Sequence, residues 1–320
     1  EFHDQFIVDP IQGGAGTSTN MNANEVIANR ALEILGHPKS SYNIIHPNNH
    51  INMSQSTNDV YPTAIKLTLH ELIYKLKDAL RFLRDCFEEK AIEFKDVLKM
   101  GRTQLQDAVP MTLGQEFKTF AVMIDDDIYR LRNVQALLKE INLGATAIGT
   151  GINTKASYQR KVISNLREVT GVDYVSAGDL IEATQDTGSF VHISGMLKSV
   201  AIKISKICND LRLLSSGPRA GFNEINLPPL QPGSSIMPGK VNPVMPEVVN
   251  QVAFEVIGAD MTISMASEGG QLQLNVFEPL IAYKLFTSIN MMRRAFYSLG
   301  EKCIKGITAN EDVCMENILN

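Results

Sequence analysis

The sequence predicts an all-α fold built from a few very long helices. Glycine and proline fall in clusters, leaving long stretches without either. Within those stretches apolar residues recur at alternating steps of three and four, and strand signatures are nearly absent. The chain has 320 residues, 44% of them hydrophobic, which is material for a large core, and 20% charged, which is too little for a disordered polymer.

In chain order, Met21 to Leu35 reads as a short helix stopped by Gly36, with Pro38 just beyond. Thr63 to Met100 contains neither Gly nor Pro and follows Pro62, which a first helical turn accepts. If continuous it spans roughly 55 Å. Its stripe is Ile65, Leu69, Leu72, Leu76, Leu80, Leu83 and Phe87. A further helix is predicted over Leu113 to Lys139. The stripe then returns as Phe190, Ile193, Leu197, Val200, Ile204, Ile207, Leu211 and Leu214. Met245 to Met265 is helical with Pro246 and Glu247 in its first turn. Leu285, Ile289, Met292, Phe296, Leu299 and Cys303 form the last stripe. Such spacing suits a bundle with coiled-coil-like packing. Helices several times the mean length need more partner surface than one bundle offers, so oligomerisation is expected.

A net charge of −5 argues against a protein that lives on phosphate contacts, so no nucleic acid is expected as partner. No apolar run of about 18 residues predicts a membrane span, and with no charged n-region followed by an apolar h-region at its start, no secretory signal is expected. Cys86, Cys208, Cys303 and Cys314 are widely separated, without a CxxC pair, and read as reduced thiols of a cytoplasmic protein. With no initiator Met, and an end without cap or tail, the chain is expected to be the middle of a longer one.

Four loops interrupt the helices, each crowded with hydroxyls and amides: GGAGTSTNMN (13–22), QSTND (55–59), GRTQLQD (101–107) and GSSIMPGKVNP (233–243). Singly, each is explained as a turn or an N-cap. Together, neutral donors at helix N-termini are what a small dianion requires, because backbone N–H groups and helix dipoles add to them. A single cation, Lys240, sits in the loop most marked by Gly and Pro.

The 233–243 segment resembles the signature of the aspartase/fumarase superfamily. QGGAGTSTNMNANEV (12–26), QSTND, GRTQLQDAVPMTLGQEF (101–117), GATAIGTGIN (144–153) and NVFEP (275–279) match in order, so the resemblance covers essentially the whole chain. It implies a long-helix central bundle truncated at both ends: 1–58 ending an N-terminal domain, 59–312 the bundle, and 313–320 starting a small C-terminal domain. Fumarases resemble SGTQSNMN in the first segment and GRTH in the third. Gln104 here, with GAGTSTNMN, resembles the aspartase branch instead. That branch implies loss of a β-proton from L-aspartate and expulsion of ammonia to give fumarate, without cofactor or metal. Fumarate hydration, or a non-catalytic scaffold, are the alternatives.

By the same resemblance Ser234 is the general base. Thr17, Ser56, Thr57 and Ser235 match positions for the β-carboxylate, and Lys240 and Asn242 those for the α-carboxylate. Asn58, Thr103 and Gln104 fall near the amino group. A homotetramer, with each site shared between subunits, is implied as well. None of the six histidines lies in a signature loop. His192 reads as a packing or polar-network residue, His46 and His50 as flanking an Asn-rich turn, and Glu247 and Glu278 as first-turn carboxylates. Arg102 and Arg219 read as loop-holding residues that pair with carboxylates.

Overall fold

A computed structural model of the chain describes every residue except 1, 156, 232–235, 238, 239 and 320. Helices dominate the described residues: α1 (Thr17–Ile34), α2 (Thr57–Glu93), α3 (Leu113–Ala136), α4 (Tyr158–Thr170), α5 (Leu180–Gln185), α6 (Gly188–Leu214), α7 (Val244–Glu268), α8 (Glu278–Lys302) and α9 (Glu311–Leu319). Three strand pairs accompany them. β1 (Leu98–Thr103) and β2 (Gln106–Thr112) form an antiparallel hairpin. β3 (Glu140–Ile141) runs parallel to β4 (Val175–Ser176), and β5 (Ile225–Asn226) antiparallel to β6 (Thr308–Ala309).

The stripes read from the sequence are the core. Every residue of the stripes on α6 and α8 is buried, and on α2 only Leu72 is left partly open. The residues fall into two compact units: 1–71, 134–194 and 259–286 in the first, and 72–133, 195–258 and 287–320 in the second. In the first, Ile141, Leu143, Ile163 and Tyr174 form a cluster, flanked by Val60 and Leu67 of α2 and Leu166 of α4. In the second, Phe87 of α2 and Phe94, just past its end, meet Phe117 and Phe120 of α3, with ring centroids 5.2 to 6.0 Å apart in tilted and edge-on pairs.

Two predicted boundaries are corrected. The long second helix stops at Glu93, and Leu98–Thr103 is a strand instead of the helix's last turns. The turn that folds this hairpin is Gln104-Leu105, where no Gly or Asn marks it. The first helix starts at Thr17 rather than Met21, directly after three successive left-handed residues, Gly14, Ala15 and Gly16 (φ 85°, 56° and 92°). Helices α4, α5 and α9 had no prediction.

Phe117 is fully buried and touches all three other rings of its cluster. Phe117→Ala is expected to cost about 3–5 kcal/mol. A denaturant titration showing an unchanged midpoint would refute that assignment.

Candidate active site

The start of α2 is capped from both sides. Ser56 Oγ accepts from the Asn58 N–H at 3.2 Å, and Asp59 Oδ1 accepts from the Ser56 N–H at 3.0 Å, a reciprocal capping box. The second Asp59 oxygen accepts from the N–H groups of Gly144 and Thr146 at 3.1 and 3.0 Å. Asp59 is completely buried, and among the described residues no cation pairs with it. Burial pushes its carboxyl above the usual range, while the backbone N–H groups pull it back. Gly144 and Thr146 reach it from left-handed conformations, φ 95° and 60°. For a β-branched residue that conformation costs on the order of 1–3 kcal/mol.

The same loop orients Asn58. Its Nδ2 donates to Ala147 O at 2.7 Å, and Asn142 Nδ2 donates to Asn58 O at 3.0 Å. Asn20 of α1 donates to Thr57 Oγ1 at 3.0 Å, tying the first turns of α1 and α2 together. Gly16, the N-cap of α1, lies against the Tyr61 ring, where a Cβ would sit 2.7 Å from ring carbons. Only glycine fits there. Thr17, Ser56, Thr57 and Asn58 are thus gathered around two helix N-termini, Thr17 exposed and the other three half-buried.

In the second unit Thr103 ends β1, and Gln104 and Leu105 form a two-residue hairpin turn with φ of 55° and 62°. Both are exposed. Two side-chain-bearing residues in left-handed conformations cost about 1–2 kcal/mol each. Lys240 is exposed and Asn242 half-buried. Ser234 and Ser235 lie outside the described residues. Arg102 pairs with Glu224 as expected for a loop-holding residue, NH1 to Oε1 at 2.5 Å. His192, expected to pack or to join a polar network, is exposed.

Sequence reasoning assigned no role to Asp59, Asn142 and Thr146. The S-x-x-D spacing of Ser56 and Asp59 is a readable capping signal; nothing local marks the other two. Glu278 was read as a first-turn carboxylate, and it does open α8, but it is buried. Burial pushes its pKa to about 8, with Lys66 pulling it down. Lys66 is itself lowered by burial and donates to Glu140 O at 2.7 Å. Tyr61 is pushed up to about 12, first by burial and then by the Glu278 charge. Among the described residues no group of three or more His, Cys, Asp or Glu is arranged to hold a metal ion. None of the described helices is long and apolar enough to cross a membrane.

Two predictions follow from these carboxylates. Asp59→Asn sets an NH₂ group against backbone N–H donors, and is expected to cost about 2–3 kcal/mol of stability; an unchanged melting midpoint would contradict it. Glu278 stays protonated in the folded protein up to about pH 8, while in the unfolded chain it ionises near its ordinary value of 4.5. The folded state therefore holds the extra proton, and stability falls as pH rises from about 4.5 to about 8. Glu278→Gln is expected to gain stability relative to wild type across that window, by about 1.4 kcal/mol per pH unit at most. A constant difference from pH 5 to pH 8 would reject this.

A family model described as Lyase matches residues 1–258. Aspartate ammonia-lyase of Helicobacter pylori is 62% identical over 320 residues, covering 100% of this chain and 68% of the relative. The enzyme of that name from Pseudomonas aeruginosa is 63% identical, covering 99% and 67%. The Escherichia coli K12 one is 59% identical over 317 residues, covering 99% and 66%. Among solved structures, a fumarate lyase:delta crystallin from Brucella melitensis bound to cobalt superposes with TM-score 0.97 at 58% identity, over 98% of this chain and 68% of that one. A class II fumarase from Schistosoma mansoni gives TM-score 0.94 at 34% identity, over 99% and 69%.

Proposed function

The chain belongs to the lyase family whose model it matches, and we propose that it catalyses the reversible deamination of L-aspartate to fumarate and ammonia. The observation that carries this reading is identity of 59% to 63% along the whole chain to relatives bearing that activity in their names. The fold is shared with a fumarase at lower identity, so fold alone does not choose the branch. Gln104 at the hairpin tip, where the fumarase motif has histidine, favours the lyase.

The chemical difficulty is the acidity of the β-carbon, whose proton lies beside a carboxylate already charged. Removing it gathers two negative charges on one end of the substrate as an aci-carboxylate. Thr17, Ser56, Thr57 and Ser235 are proposed to meet that end. The N-termini of α1 and α2 add their dipoles to those hydroxyls. Ser234 is proposed as the base: its oxyanion takes the β-proton, the C–H electrons form the double bond, and the C–N pair leaves with the amine. Lys240 and the N–H groups of its loop stabilise the Ser234 oxyanion. Lys240 and Asn242 hold the α-carboxylate, and Asn58, Thr103 and Gln104 the amino group. No cofactor enters this scheme.

The proposed assembly is a homotetramer in which loops of three subunits meet at each site. Exposed apolar residues on α7 support it: Val248 and Phe254 in the second unit, Met261 and Met265 in the first. The proposal includes a cytoplasmic location and the division at 1–58, 59–312 and 313–320.

Fumarate absorbs in the ultraviolet, so aspartate and malate are offered separately to the purified protein. Absorbance is expected to grow with aspartate; growth with malate alone would overturn the lyase reading in favour of the hydratase. Ser234→Ala is expected to lower kcat by on the order of 10³ in a protein that stays folded. Retained turnover in that variant removes Ser234 as the base.

A further inference from the structure

The hairpin that carries Thr103 and Gln104 is broken below its tip. Pairing of β1 with β2 shifts register between Met100 and Arg102. Gly101 sits at that irregularity, where a Cβ would lie 2.8 Å from Val109 O. Beyond it only two residue pairs, Arg102 with Asp107 and Thr103 with Gln106, lead to the left-handed Gln104-Leu105 turn. The ladder below the bulge therefore does not by itself fix the attitude of the tip.

One buried carboxylate spans the break. Glu224 is 0% exposed. Its Oε2 lies 2.7 Å from Lys99 Nζ, on the base side of the bulge, and its Oε1 lies 2.5 Å from Arg102 NH1, on the tip side. Lys99 is buried as well and also meets Glu116 of α3 at 2.5 Å. The Arg102 guanidinium covers the Phe222 ring at 4.3 Å, and its Nε lies 3.5 Å from Asp107 Oδ1 on β2. The main chain of Glu224 is anchored in turn. Its N–H donates to Leu214 O at the end of α6 at 2.9 Å, and its carbonyl accepts from the Asn310 N–H at 2.9 Å and from Cys314 Sγ of α9 at 3.7 Å. The tip is thus tied through Arg102 and Glu224 to the ends of two helices.

Resting on the lyase reading above, in which this tip meets the substrate's amino group, we propose that Glu224 is a positioning residue for the amino end of the substrate. It acts through Arg102 on Thr103 and Gln104, and leaves the two carboxylate subsites alone. A carboxylate that merely stabilised the fold would affect both ends of the substrate together; a clamp on the tip affects one.

The reverse reaction separates the two ends, because ammonium and fumarate are then independent substrates. Glu224→Gln keeps the shape but removes the charge that holds Lys99 and Arg102. In the purified protein it is expected to raise KM for ammonium by about tenfold or more while KM for fumarate stays within about twofold. Inhibition by succinate, a dicarboxylate without an amino group, is expected to be unchanged. A parallel rise in both KM values, or a change in neither, overturns the proposal. Should Glu224→Gln fail to fold, as judged by circular dichroism and melting, Arg102→Lys provides the same measurement. It keeps the charge but shortens the reach to Glu224. A folded Arg102→Lys protein without the ammonium-specific rise likewise refutes the clamp. Wild-type protein that combines neither substrate defeats the lyase reading and this proposal with it, whereas active wild type without the split defeats this proposal alone.

Discussion

A carboxylate sealed from water, with no cation paired to it among the described residues, has to be met by dipoles, and the start of α2 is arranged around that requirement. Asp59 takes one N–H from its own capping turn and two from the loop after Ile141. Each bond constrains something besides the carboxylate. The first closes the capping box that begins a helix of 37 residues. The other two require left-handed backbone at Gly144 and Thr146, and so bring Ala147 to where Asn58 donates to it. Ser56, Thr57 and Asn58 are consequently held on a rigid helix start rather than on a loose loop, which is the condition for preorganised donors.

The second unit solves a comparable problem with charges instead of dipoles. Glu224 is as deeply buried as Asp59, yet it is met by Lys99 and Arg102. Backbone N–H groups at about 3 Å fix main chain directly, which suits a helix cap packed against a loop. Long cationic side chains act at a distance, which suits a hairpin whose ladder is interrupted. Removing one partner of a buried pair leaves the other uncompensated, so such a cluster holds its geometry tightly.

How much of this was legible depended on whether the deciding interaction was local. The stripes on α2, α6 and α8 were readable because burial follows helical period, and they are the core the structure contains. The four polar loops were readable because glycine and hydroxyl clusters mark helix starts and turns. The hairpin was not, because its turn uses Gln104 and Leu105, which only tertiary anchoring holds in left-handed backbone. Thr146 was not, because its strained φ is imposed by Asp59, 87 positions away in sequence. Glu278 reads as an ordinary first-turn carboxylate; its burial beside Lys66 depends on packing among separate segments of the chain. The motif text located the proposed catalytic segment, but Ser234 and Ser235 lie outside the described residues, so their roles rest on that likeness.

In the proposed reaction the residue types divide according to what each end of the substrate carries. The end that gains charge needs donors, and hydroxyls with helix N–H groups supply them without adding a fixed charge that would bind the ground state equally well. The amino end already carries its proton as an ammonium, so it needs acceptors rather than an acid. Asn58, whose Nδ2 donates to Ala147 O, has an amide oxygen able to serve as one. Gln104 offers an amide that accepts a hydrogen bond and cannot transfer a proton. Histidine at that tip suits a leaving hydroxide, which has to be protonated as it departs. An amide suits a leaving group that departs already protonated, and the choice of branch is therefore a matter of where the proton starts.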